Sequence, residues 1–364
     1  MEGVSGGDEE DMGFRWEVRE EATMTIGARI CLLVNSAFHK LSVKYETTDC
    51  WTETQATVVI MFNDFDKSTI PDLTGRVILI TGGTGGIGVE IVIELAKHNP
   101  AHIIFTGRNA ASADTTIKRA HALTPRANIT FIPCDLASLT SVNAAADKVI
   151  AVCPRLDVFL PNAGIMATPP GLSEDGYEVQ FATNHLGHAL LTRRLLPLLE
   201  KTAAIPGADV RLIITSSTGW HGGTMQFDDL RTTKDTRIAM GRWKRYCDTK
   251  LANMLYAREL AKRYPKILCF SLSPGVVGTS LVTDLSLFDR TFVYVSQLGR
   301  IRTVEQGSYN HLWALSVPRE SIKAGEFYEP VGKLSTYENA SSKDPEMKGR
   351  LWEWTEKELE KWLK

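Results

Sequence analysis

From Val77 onward the chain alternates short unbroken apolar runs with longer stretches of helical spacing. Val77-Ile78-Leu79-Ile80, Ile103-Ile104-Phe105-Thr106, Ile129 to Pro133, Leu156 to Leu160, Leu212-Ile213-Ile214-Thr215 and Ile267 to Leu272 are rich in β-branched residues. Continuous apolarity of this kind predicts strands buried on both faces. Helical spacing fills the gaps at Val89 to Lys97, Ile117 to Leu123, Val142 to Val152, Tyr177 to Leu199 and around Leu251, Leu255 and Leu260. Strands alternating with helices predict an α/β fold: one doubly wound domain around a mostly parallel sheet. Ser335 to Lys364 ends in an amphipathic pattern through Leu351, Trp352, Leu359 and Leu363, which predicts a charged helix docked on the body.

Residues 1–60 have no sustained period. They pass from an acidic stretch through a short apolar run, in which Ile26, Ile30, Leu33 and Phe38 suit an amphipathic turn, to a Thr-rich stretch. The expectation is a non-core, poorly ordered N-terminal extension, with the folded domain running from 61 to 364.

Composition narrows the function. A hydrophobic content of 43% is ample for a core, and a net charge of -2 without basic blocks gives no footprint for nucleic acid. The six cysteines are scattered with no C-x-x-C pair, which predicts free thiols in a reducing compartment and no metal site. Arg29 interrupts one apolar run and Arg193 and Arg194 another, so no transmembrane segment is expected. The N-terminus has no signal-peptide pattern and many acids, and a cytoplasmic location is expected.

Thr81 to Gly88 is a glycine turn between the first strand and a helix, the context in which backbone approaches a pyrophosphate at a helix N-terminus. The glycines fit three dinucleotide templates: Gly82, Gly86 and Gly88; Gly82, Gly85 and Gly88; or Gly83, Gly85 and Gly88. Any of them predicts a Rossmann-type domain. Polar residues cluster just past the strands at Asp135, Asn162-Ala163-Gly164, Ser216-Ser217 and Ser273-Pro274-Gly275, forming a rim where such sheets bind ligands. Asn184 lies within the long helical pattern near that rim. His185 and His188 lack a partner at metal-ligand spacing and are read as structural.

Tyr246 and Lys250 propose a reaction. Four residues apart on a helix, phenol and ammonium share a face. A free phenol is only ~0.1% ionised at neutral pH, and a shift of three units takes roughly 4 kcal/mol, for which a fixed cation is the nearest source. Tyr246 could then exchange a proton with a carbonyl or alcohol oxygen. Nine tyrosines in a lysine-containing chain produce this spacing by accident about half the time, so the surrounding elements decide.

Together, Thr81-Gly82-x-x-x-Gly86-Ile87-Gly88, Asp135, Asn162-Ala163-Gly164, Asn184, Ser217, Tyr246-x-x-x-Lys250 and Pro274-Gly275 with Thr279 resemble the short-chain dehydrogenase/reductase family. Asn162 to Met166 and Asn184 to His188 look like its retinol-dehydrogenase-like branch, which includes many fungal carbonyl reductases and so points to secondary metabolism. The resemblance implies Tyr246 as acid/base and Ser217, with Ser216 as an alternative, bonding the substrate oxygen. It also implies Lys250 on the nicotinamide ribose lowering the Tyr246 pKa, and Asn184 holding a proton-relay water. Cofactor contacts would come from Gly82, Thr84, Gly86, Ile87 and Gly88, with Asp135 on adenine, Asn162, Ala163 and Gly164 on the adenosine ribose, and Val277 and Thr279 on the carboxamide. A homodimer or homotetramer is implied as well.

The end of the second strand chooses the cofactor. Ile104 to Asn109 offers no acid for ribose hydroxyls, whereas Arg108 could pair with a 2′-phosphate, so NADP(H) is expected over NAD(H). The glycine turn itself carries no basic residue. Apolar residues from Leu281 to Tyr294, with Trp220, Met225 and Trp243, predict a lid and a pocket for a hydrophobic carbonyl or alcohol. Two other readings are a dinucleotide-sensing protein without turnover, which would need no acid/base, and a nucleotide-sugar epimerase, which Asn162-Ala163-Gly164 disfavours.

Overall fold

The computed structural model describes residues 65–233, 240–283, 285–296 and 301–364. The expected N-terminal extension and its amphipathic turn lie outside the described residues. The expected strands form as β1 (Val77–Thr81), β2 (His102–Gly107), β3 (Ile129–Pro133), β4 (Val158–Leu160), β5 (Arg211–Thr215) and β6 (Leu268–Leu272). A hairpin of β7 (Phe327–Glu329) and β8 (Lys333–Leu334) completes an eight-stranded sheet in the order β3-β2-β1-β4-β5-β6-β7-β8. All pairings are parallel except β7 with β8.

β4 is shorter than its apolar run, and Asp157 just before it also holds β1. Its carboxylate accepts the Val77 N–H at 2.9 Å, fixing the start of β1, and pairs with Arg155. The strand order reverses direction between β1 and β4, which places a crevice at their C-terminal ends.

Helices cover both faces, as double winding requires. One apolar layer packs α1 (Gly86–Ala96), α2 (Ala110–Leu123) and α7 (Val304–Ser316) on the sheet. The other packs α3 (Leu139–Val152), α4 (Gly187–Ala203) and α5 (Gly241–Arg263). A further helix, α6 (Leu287–Ser296), follows β6 after a short turn at Ser280–Thr283. α7 was not apparent in the apolar periodicity. Its signature is a capping box, in which Thr303 and Gln306 each accept the other's backbone N–H.

The C-terminal pattern folds as α8 (Met347–Leu359) and docks on α4 and α5. Trp352 stacks on Tyr256 at 5.4 Å between ring centres, and the Arg193 and Arg263 guanidinium groups lie over its indole.

Candidate active site

The glycine turn is shaped for close approach. Gly82 and Gly86 hold φ of +78° and +52°, a left-handed region costly for residues with a Cβ. A Cβ on Gly88 would sit 2.2 Å from the Gly82 carbonyl oxygen, so α1 can meet the turn this tightly only with glycine there. Gly85 precedes α1 with no side-chain cap, and no acid occupies the first helical turn. The leading N–H groups and the positive end of the helix dipole therefore suit a phosphate. Thr84 packs against Gly107 at the end of β2, and Ile87 reaches toward Gly307 on α7.

Thr81 ties this turn to the loop after β4. Its hydroxyl oxygen accepts the N–H groups of Asn162 (2.8 Å) and Ala163 (3.0 Å), while Asn162 donates its amide to the Thr81 carbonyl at 2.9 Å. Burial lowers His188 to about 4, so the ring is neutral. Donating from Nδ1 to the Asn184 carbonyl, it leaves Nε2 to accept the Thr81 hydroxyl at 2.9 Å. His185 likewise bridges Asn253 and Thr355, a structural role for both histidines.

Asn184 lies in a π turn, Ala182–Leu186, that interrupts the helical pattern ahead of α4. Such single wide turns let a helix aim one side chain out of register. Its amide clasps the Ile165 backbone, accepting the N–H at 2.8 Å and donating to the carbonyl at 2.8 Å, and also donates to Thr249 at 3.0 Å. The side chain is therefore engaged in holding the Asn162 to Ile165 loop against α5.

Tyr246 and Lys250 are both on α5 and buried, with the ammonium 5.5 Å from the centre of the phenol ring. Lys250 donates to the Thr215 carbonyl at the end of β5 at 3.3 Å, and Asn253 donates to the same oxygen at 3.1 Å. Burial pulls Lys250 down to about 8 and pushes Tyr246 up to about 12, the latter partly offset by a hydrogen bond with Ser217. In the protein alone the phenol therefore shifts upward, and the offsetting pull comes from Ser217 and not from Lys250 as expected.

Ser216 and Ser217 separate cleanly. Ser216 is fully buried and donates to the Lys250 carbonyl at 2.7 Å, whereas Ser217 is partly buried and turned to Tyr246. Gly219 helps orient it, donating its N–H to the Ser217 hydroxyl at 3.1 Å.

The remaining expected contacts border the same crevice. Asp135 follows β3 and accepts the Ala137 N–H at 3.0 Å. Thr279 lies over the glycine turn, its methyl 3.2 Å from the point a Gly86 Cβ would occupy, and Val277 packs against Gly307. Arg108 is exposed at the tip of β2 with no ion-pair partner among the described residues, next to Asn109, which caps α2.

Two apolar residues expected at the pocket are elsewhere. Trp220 is fully buried against Phe327 and Tyr337, and Met225 belongs to the same core. Val282 and Val293 are also buried, while Leu281, Leu287 and Tyr294 face outward. The Thr215 carbonyl was not anticipated as part of the site, and Thr81, quoted at the head of the glycine motif, had no role of its own there. The signal for Thr81 was its place directly before the first glycine; a main-chain carbonyl carries none.

Among the described residues, no cluster of His, Cys, Asp or Glu could hold a metal, and no helix is long and apolar enough to cross a membrane. Cys134, Cys153, Cys247 and Cys269 are free thiols.

A family model described as short chain dehydrogenase matches residues 76–226. A short-chain dehydrogenase/reductase of Aspergillus calidoustus is 33% identical over 308 residues, covering 80% of this chain and 96% of the relative. Human retinol dehydrogenase 13 is 36% identical over 231 residues, covering 62% of this chain and 65% of its own length. Among solved structures, a short chain dehydrogenase of Escherichia coli CFT073 complexed with NADPH superposes with a TM-score of 0.54 at 24% identity. That alignment covers 71% of this chain and 98% of the bacterial one, a likeness of fold.

Proposed function

We propose that this chain, which belongs to the short-chain dehydrogenase/reductase family and resembles its retinol-dehydrogenase-like members, interconverts a carbonyl and an alcohol on a hydrophobic small molecule using NADP(H). The observation that carries the proposal is the convergence of Ser217, Tyr246 and Lys250 at the end of β5, across the crevice from the glycine turn. When bound, the nicotinamide supplies or accepts the hydride. The chain's own residues position the reactants and manage the proton.

Gly82, Gly86 and Gly88 with the start of α1 would hold the phosphates, joined by Thr84 and Ile87. Asp135 would meet the adenine, Asn162 to Gly164 the adenosine ribose, and Val277 and Thr279 the carboxamide. Lys250 would hold the nicotinamide ribose, and Asn184 acts by fixing the loop beside it. Ser217 donates to the substrate oxygen while Tyr246 transfers the proton. A phenol pushed up to about 12 stays protonated at neutral pH and can hand its proton to the alkoxide oxygen formed when a carbonyl is reduced.

A panel of carbonyls and alcohols assayed with each cofactor, followed by nicotinamide absorbance, tests the proposal. Turnover of lipophilic ketones or aldehydes with NADPH supports it; preference for small charged keto acids, or for NADH, counts against the respective part. Arg108→Ala is expected to raise the KM for NADPH about tenfold or more, the loss of one charge-assisted contact, and to leave NADH nearly unchanged. An equal loss with both cofactors would place Arg108 away from the 2′ position.

The catalytic unit is proposed to be residues 61–364. The described packing begins at Phe65, whose ring meets Tyr309 at 6.3 Å, and at Lys67, which pairs with Glu94 and Glu305. A protein starting at Met61 keeps all of these contacts and is expected to match the full chain in melting temperature and turnover. A collapse of either would make the first 60 residues integral to the domain.

A further inference from the structure

We infer that Asp289 is a positioning residue, a latch that fastens α6 to the first turn of α5 and so sets how a bulky carbonyl compound lies against Tyr246. This rests on the carbonyl/alcohol reading of the site. Asp289 is only 4% exposed on a helix that otherwise turns Leu287, Tyr294 and Val295 to solvent. Among the described side chains of α6, Asp289 and Val293 are the buried ones.

The Asp289 carboxylate ties this helix to the start of α5. It accepts from Arg242 Nη1 at 2.9 Å, from Trp243 Nε1 at 2.8 Å and from the Ser286 hydroxyl at 2.5 Å. Ser286 also accepts the Asp289 N–H at 3.1 Å, which accounts for helix capping but not for the two partners on α5.

Those partners stand next to the reacting group. Arg242 is one helical turn before Tyr246 on the same face. The Arg242 carbonyl accepts from Gln180, whose own carbonyl holds the Ala167 N–H at 2.9 Å, so this turn is already fixed to the loop after β4. On the other side, the chain between Thr279, which covers Gly86, and α6 is short. Asp289 therefore closes a bridge from the glycine turn, through α6, to the catalytic helix.

Hydrogen exchange on the full chain with NADPH, together with kinetics on a large lipophilic and a small carbonyl, tests the latch. Asp289→Ala should speed exchange of the 287–296 amides about tenfold or more, as expected when charge-assisted contacts are lost. Asp289→Asn, which keeps an acceptor for Trp243 but loses the charge pair, should lie between. The KM for the large substrate should rise about tenfold while the small one shifts less than about twofold, with NADPH affinity and melting temperature nearly constant. Unchanged exchange overturns the latch, and equal changes for both substrates reduce Asp289 to a merely structural role. A wild-type protein inactive on every carbonyl would overturn the functional reading instead, and the exchange ratio, which needs no turnover, would still decide whether α6 is latched.

Discussion

Tyr246→Phe is expected to lower kcat by about 10²–10⁴-fold while dinucleotide affinity changes by less than about twofold. The ring is buried, packed beside Gly219 and under the Lys250 ammonium, and phenylalanine keeps that packing. Only the hydroxyl and its hydrogen bond with Ser217 are lost, so the change removes the proton donor and little else. The direction of the Tyr246 shift adds a pH signature. With burial pushing the phenol up to about 12, it stays protonated through the neutral range, and the reductive rate should show no ionisation from Tyr246 there. Oxidation of the alcohol requires the phenolate, so its rate should climb with pH over the same range. Single-turnover kinetics in both directions, with cofactor binding followed by fluorescence, measure these effects. A variant retaining more than a few per cent of kcat would remove Tyr246 from the acid/base role.

Features set by local geometry were legible in the sequence. Parallel strands buried on both faces must be apolar at consecutive positions, which is why β1, β2 and β6 were found nearly to the residue. β7 and β8, at three and two residues, are too short for any period to register. The π turn at Ala182–Leu186 preserves an apolar face on both sides and adds its extra residue silently; what defines it is Asn184 reaching across to Ile165. Tyr246 with Lys250, and Gly82 with Gly88, were legible because a helix and a tight turn fix their own spacings. The choice between Ser216 and Ser217 needed α5 in place, since the Lys250 carbonyl is what claims Ser216. Trp220 and Met225 are neighbours of the site in sequence but not at the pocket, because the turn after Ser217 carries both into the core behind it. Contacts between segments far apart, such as Asp289 with Arg242, or Asn339 with the carbonyls of Trp220, His221 and Gly223, have no sequence signature at all.

Lys250→Met is expected to abolish useful turnover, weaken cofactor binding and yet stabilise the protein at neutral pH. The ammonium is 4% exposed, and burial alone lowers its pKa from 10.5 to about 8. The folded state therefore holds this proton less tightly than the unfolded chain does. Below pH 8 both states are protonated and the full cost of burying the charge is present, on the order of 3 kcal/mol for a shift of this size. Between about 8 and 10.5 the unfolded chain keeps a proton that the folded protein has released, so wild-type stability rises with pH; above that range the cost is gone. Methionine fills a similar channel without charge. It forfeits the hydrogen bond to the Thr215 carbonyl, worth about 1 kcal/mol, but that oxygen still accepts from Asn253 at 3.1 Å and is not orphaned. The net gain at pH 7 is then about 2 kcal/mol, and it should shrink toward zero or below near pH 10.5. Denaturant melts of both proteins at pH 7 and pH 10 read this directly. A variant less stable than wild type at pH 7, or a gain that does not change with pH, would mean that the folded protein compensates the buried ammonium, and the lysine would then be part of the scaffold as well as of the chemistry.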